Sequence, residues 1–169
     1  MTLDVAEALF VIGDLPGEEL PSIALSLLQA GIDTTCIRQL AAMDKPTLRD
    51  SADTFQKVVT ELGHVLPSRT LAITILVKDL ARSVLQGTIS SRHAASRGAR
   101  LAIAANYPKS LMPFYMAQEE YDCKDYNTST GTCGHLTSAS RPAIHDIPDL
   151  EGRLIAYCRE VIDDDPRAV

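Results

Sequence analysis

Four acidic residues in the last third of the chain form the first group that could do chemistry. Glu119, Glu120, Asp122 and Asp125 follow one another closely. Carboxylates in such a group give a negative surface, which attracts and orients a basic protein partner. We therefore predict that these four residues bind a partner, plausibly a basic toxin or nuclease. This pattern predicts tight one-to-one binding that weakens as salt is added.

A basic segment provides the alternative. Arg92, Arg97 and Arg100 lie in SSRHAASRGAR, and the region from 64 to 110 holds 7 Lys and Arg against a single acidic residue. One interpretation is an anion site for phosphate or nucleic acid. The other is a structural one, in which acidic helices pack against basic ones and the charges pair. We favour the structural interpretation, because nucleic-acid binders usually carry a larger basic excess.

The cysteines and histidines lack the spacing of a metal site. Cys123, Cys133, His135 and His145 are metal-capable, but zinc sites normally show close pairs such as CxxC with HxxxH. There is also no GxSxG, GxxxxGK[ST] or GxGxxG motif. We predict free thiols, no metal, no cofactor and no catalytic residue. A non-enzymatic protein is therefore the expectation.

Length and composition limit the class of protein. The chain has 169 residues, of which 46% are hydrophobic and 22% charged, with three Phe, five Tyr and no Trp. A core of Leu, Ile, Val and Ala favours helices, and the length suits a single domain over 1–169. The N-terminus carries two acids and no basic residue before its apolar run, and no run approaches the ~20 residues of a membrane span. We predict a cytoplasmic protein that does not contact a membrane, of unknown oligomeric state.

These candidate residues must be positioned by helices. The stretch from Glu18 to Met43 reads as two helices separated by Gly31, and Thr47 and Ser90 or Ser91 are further helix N-caps. The sequence therefore predicts an all-α bundle of seven or eight short amphipathic helices packed around a helix from Ser68 to Gln86. Residues 123–148 lose all periodicity, and we predict one long irregular loop there.

One part of the chain also resembles known proteins. The run LPSIALSLLQAGIDTTCIRQLAAMDKPTLRD, followed by LARSVLQGTIS, is similar to small all-helical bacterial proteins of unassigned function, over residues 5–105. The resemblance implies a helical fold and no particular site residue. Small acidic bacterial proteins without a catalytic signature are often immunity proteins, by analogy. The resulting hypothesis is an immunity-type interaction module that neutralises a toxin, with a nucleic-acid-associated or regulatory protein using 90–100 as the alternative.

Overall fold

The protein is all-α, as predicted. The computed structural model describes the backbone of residues 1–130 and 150–163 and the side chains of 1–125 and 150–163. Within these ranges there are eight α-helices, two short 3-10 helices at Gly17–Glu19 and Lys109–Leu111, and no strand. The α-helices are α1 (Leu3–Ile12), α2 (Leu20–Gln29), α3 (Thr35–Ala41), α4 (Leu48–Glu61), α5 (Arg69–Leu85), α6 (Ser91–Ala104), α7 (Met112–Thr130) and α8 (Leu150–Asp163).

Local sequence signals begin several of these helices where they were predicted. Thr47 accepts a hydrogen bond from the Asp50 backbone N–H at 3.3 Å, and the Asp50 carboxylate accepts one from the Thr47 N–H at 3.2 Å. This reciprocal pair is a capping box, which satisfies two backbone donors that α4 cannot satisfy itself. Ser90 caps α6 through its side chain alone, because its hydroxyl accepts from the His93 N–H at 3.2 Å.

The helices also end at predicted residues. Gly31 follows α2 and Gly63 follows α4, with φ angles of 82° and 71°. This left-handed conformation allows the backbone to turn back and satisfy the last carbonyls of a helix, and it favours glycine. After Gly63, the His64 N–H donates to the Val59 carbonyl at 3.0 Å, which fixes His64 against the end of α4.

Backbone contacts divide the chain into two compact units, Met1–Leu76 and Val77–Val169. The boundary falls within α5, so the single domain and its packing around this helix stay predictions. In the first unit α3 packs against both α2 and α4. The rings of Phe10 and Phe55 lie 5.3 Å apart, centroid to centroid, and Phe55 is fully buried. Other fully buried side chains of this unit are Leu20, Ile37, Leu40 and Val58.

The second unit is built on the packing of α6 against α7, with α8 contacting both. Phe114 of α7 is fully buried and lies against Gly98 of α6. Its ring meets the ring of Tyr157 edge-on at 5.7 Å, and the Tyr157 hydroxyl donates to the Ser110 carbonyl at 2.6 Å. Burial raises the pKa of Tyr157. The three helices are therefore held by one aromatic cluster.

Helix α7 is longer than predicted. Helix α7 continues through Cys123 to Thr130, whereas we expected it to end at Asp122. The prediction used the loss of apolar spacing as a helix end, but polar residues do not stop a helix in the way that glycine and proline do. No Gly or Pro occurs between Pro113 and Gly131. The rest of the predicted loop, 131–148, lies outside the described residues.

Candidate functional site

The four predicted carboxylates lie on α7. Glu119, Asp122 and Asp125 are exposed, and Glu120 is half-buried. The three exposed residues recur at every third position, so they follow one side of the helix, and Glu120 lies further round toward α8. The structure thus places the predicted partner-binding residues on one helix rather than on a helix and a loop.

The basic candidate Arg92 meets these carboxylates. Its guanidinium forms an ion pair with Asp125 and lies 5.5 Å from the centroid of the Tyr121 ring, in cation–π geometry. The hydrogen bond to Asp125 raises the pKa of Arg92. The two candidate sites that the sequence offered as alternatives therefore adjoin one another across α6 and α7.

Arg97, the second basic candidate, pairs with a different carboxylate. Its guanidinium lies 3.4 Å from an Asp79 oxygen, and both side chains are less than one-third exposed. Arg100, the third candidate, is exposed on α6. Only the pair of Arg92 with Asp125 joins the basic segment to an acidic one, because Asp79 is itself the single acidic residue of the basic region.

The remaining carboxylates of α7 also have partners. Glu120 accepts a 2.6 Å hydrogen bond from Arg153 of α8, and Asp122 accepts one of 2.7 Å from the Gln118 amide. Glu119 forms a hydrogen bond with Tyr115, which raises the pKa of that hydroxyl. We call the group formed by these side chains the mixed-charge surface, and its members are Arg92, Glu119, Glu120, Asp122, Asp125 and Arg153.

An apolar groove borders the mixed-charge surface. It has a volume of about 220 Å³ and runs between α7 and α8, with Glu120 and Arg153 at its side. Met116 lines it and is 52% exposed. An apolar depression flanked by charges is the usual anatomy of a protein interface, in which the centre is apolar and the rim polar. Its other lining residues are Pro113, Ala117, Leu150 and Leu154.

Of the three cysteines that the structure describes, Cys123 of α7 is half-buried and the other two are buried. Cys36 and Cys158 are buried free thiols, as predicted. A hydrogen bond to Glu61 raises the pKa of Cys36, and burial raises that of Cys158 to about 11. Both thiols are therefore protonated at neutral pH and weak nucleophiles. The predictions about Cys133, His135 and His145 fall outside the described residues.

Sequence reasoning missed the residues that connect the surface. Asp79, Gln118 and Arg153 were not predicted as site residues. Arg153 lies 33 positions from Glu120 along the chain, and the same separation holds for Arg92 and Asp125. Charge alone could indicate that such residues pair, but only the packing of the helices determines which carboxylate meets which arginine.

Comparison with known proteins identifies no family for this chain. No protein-family model, no curated protein and no solved structure matches the chain. Within the described residues, no helix is both long and apolar enough to cross a membrane.

Proposed function

We propose that this protein is a non-enzymatic protein-interaction module that binds a basic protein through the carboxylates of α7. The observation that supports this most is that α7 carries both an apolar groove, which Met116 and Glu120 line, and three exposed carboxylates, Glu119, Asp122 and Asp125. Charges at a rim steer and orient a partner, while an apolar centre contributes most of the binding free energy. Both features occur together on α7.

The ion pairs within the mixed-charge surface are compatible with this function. Arg92 and Asp125 are each about half exposed, and exposed ion pairs contribute little net stability. A cation of the partner can therefore replace the intramolecular one at small cost. Before the partner binds, the arginines of α6 and α8 restrict the carboxylate side chains. This restriction reduces the conformational entropy that these side chains lose on binding.

We further propose that the partner is a basic toxin or nuclease and the protein an immunity-type factor. The net charge of −6 supports this, because an acidic protein associates rapidly with a basic one. The immunity-type role is proposed by analogy with small acidic bacterial proteins. The analogy defines the class of partner to look for first, whereas the surface on α7 defines how it would be bound.

Neutralising the carboxylates of α7 is expected to weaken partner binding about tenfold or more, because rim charges set the association rate and its salt dependence. The test captures partners from the native host and then measures the affinity of the purified partner by calorimetry at two salt concentrations. The variant carries Glu119→Gln, Glu120→Gln, Asp122→Asn and Asp125→Asn.

The control for this experiment removes the same charge from exposed residues of the first unit: Glu18→Gln, Glu19→Gln, Asp44→Asn and Asp53→Asn. This control is expected to bind like the parent. Equal affinity of the two variants would contradict the proposal, and so would a capture that recovers no protein partner. Circular dichroism of both variants checks that the helices are retained.

The alternative function is nucleic-acid binding by Arg92, Arg97 and Arg100. The basic excess from 64 to 110 favours it, whereas the ion pairs of Arg92 and Arg97 oppose it. It predicts a gel shift at low salt that is weakened when all three arginines become alanine. The control replaces Lys45, Arg49 and Lys57, which are exposed in the first unit. We expect no gel shift from the parent, and a shift that only the α6 variant loses would favour the alternative.

A further inference from the structure

A second cluster of chemically capable side chains lies in the first unit. Asp4 and Glu7 are one turn apart on α1, and His64 follows the end of α4. One ligand-capable atom of each residue lies within 4.8 Å of the others, and the Nδ1 atom of His64 is 2.8 Å from Oε1 of Glu7. Two segments that are far apart in the sequence thus bring two carboxylates and an imidazole to one point.

The burial of Glu7 distinguishes this cluster from an ordinary group of surface acids. Glu7 is only 5% exposed, and among the described residues it is the one buried side chain of an acidic or basic residue. Burying a carboxylate is costly unless a cation compensates it. Here the carboxyl groups of Asp4 and Glu7 share the cluster with one imidazole, a set of oxygen and nitrogen donors that one cation can bridge.

We propose that Asp4, Glu7 and His64 bind one divalent transition-metal ion, with zinc the best fit. Zinc takes imidazole nitrogen and carboxylate oxygen together, and three protein ligands with a fourth position open to water are a common arrangement. Magnesium and calcium prefer oxygen ligands alone, so the imidazole disfavours both. This site goes beyond the proposed function, since it lies in the other unit, and it departs from the sequence-based expectation of no metal.

Binding of a zinc ion by these three residues would require only small movements of exposed side chains. Zinc bonds of about 2.0–2.1 Å in a tetrahedron place ligand atoms about 3.3 Å apart. The hydrogen bond between His64 and Glu7 would lengthen slightly, and Asp4 would move closer. Asp4 is exposed and the His64 side chain is 42% exposed, so both can move, whereas the core holds Glu7 in place.

The backbone around the cluster is already fixed. The Val5 N–H donates to the Thr2 hydroxyl and the Ala6 N–H to the Thr2 carbonyl, so the turn that carries Asp4 is capped. On the other side of the cluster, the hydrogen bond from the His64 N–H to the Val59 carbonyl fixes the backbone of His64. A bound ion would therefore join α1 to the end of α4 with little loss of backbone entropy, and it would stabilise the fold that contains the site.

The experiment titrates metal-free chain with Zn²⁺ by calorimetry at neutral pH and follows the melting temperature with and without zinc. We expect the parent to bind zinc and to melt at a higher temperature with it. Asp4→Asn and His64→Gln should each lower the affinity by about tenfold or more, since even residues that only support ligands cost 10- to 100-fold. Both variants should lose the zinc-dependent shift in melting temperature, and Mg²⁺ should produce no shift in the parent.

Two control variants identify the source of any zinc binding. His93→Gln changes an exposed histidine of α6, and the double variant Cys133→Ala, His135→Ala removes the metal-capable pair of the sequence. Both should keep the affinity of the parent. The proposal is overturned if the parent binds no zinc, if Asp4→Asn binds it like the parent, or if only the Cys133 and His135 variant loses it. Asp4→Asn keeps the test valid should His64→Gln fail to fold, because Asp4 is at the surface.

Discussion

Gly98→Ala is expected to lower the free energy of unfolding by about 2 kcal/mol, although alanine favours a helix over glycine by roughly 1 kcal/mol. A Cβ atom at this position would lie 2.3 Å from Cβ and 2.6 Å from Cγ of Phe114. Phe114 is fully buried, and its Cβ is fixed by the backbone of α7, so rotation of the ring cannot relieve the overlap. The two helices would have to separate.

Chemical denaturation of the Gly98→Ala variant measures this effect. Ser96→Ala is the matched control, because Ser96 is exposed on the same helix and its replacement changes helix propensity without a contact in the core. We expect the control to be as stable as the parent or slightly more stable. If Gly98→Ala were stabilised to the same degree, α6 and α7 would not approach as closely as described.

The same contact matters for the mixed-charge surface. Arg92 lies on α6 and Asp125 on α7, so their ion pair depends on the approach that Gly98 permits. The sequence predicted that both segments are charged, with Arg92 on a helix and Asp125 in an irregular loop. It could not show that a missing side chain at Gly98 brings them together, because a glycine inside a helix has no local signature that separates close packing from chance.

Helix boundaries were predictable where one residue determines them. Thr47 and Ser90 cap helices with their own hydroxyls, and Gly31 and Gly63 adopt positive φ angles. These are local interactions, complete within a few residues, and the sequence therefore contains them in full. The end of α7 had no such residue at Asp122, and there the prediction was wrong.

The cluster around Glu7 illustrates a different limit. Helix α1 is buried on several sides, and Glu7 lies in the core with Ala6 and Ala8. Nothing in the sequence separates a buried glutamate on a short helix from an exposed one. His64 follows α4 and is separated from Glu7 by three helices along the chain, so their meeting is a property of the tertiary fold alone.

Gly17→Ala is expected to have the larger effect, a loss of about 3 kcal/mol, because here the obstacle is backbone. A Cβ atom on Gly17 would lie 2.4 Å from the amide nitrogen of Leu48 and from the carbonyl carbon of Thr47, and 2.5 Å from the Pro46 carbonyl oxygen. Only a residue without a side chain lets the chain before α2 lie against the start of α4.

Denaturation and amide hydrogen exchange test this prediction together. Relief of the overlap must move the first turn of α4, so the exchange of the Asp50 amide, which the capping box protects, should become faster in Gly17→Ala. Glu18→Ala is the control, because Glu18 is the exposed neighbour of Gly17 and its replacement should alter neither measurement. A Gly17→Ala variant with the stability and Asp50 exchange of the parent would mean that the two segments lie further apart. The larger cost follows from what must move: at Gly98 two helices separate at their contact with a single side chain, whereas at Gly17 three consecutive backbone groups move only with the helix that they begin.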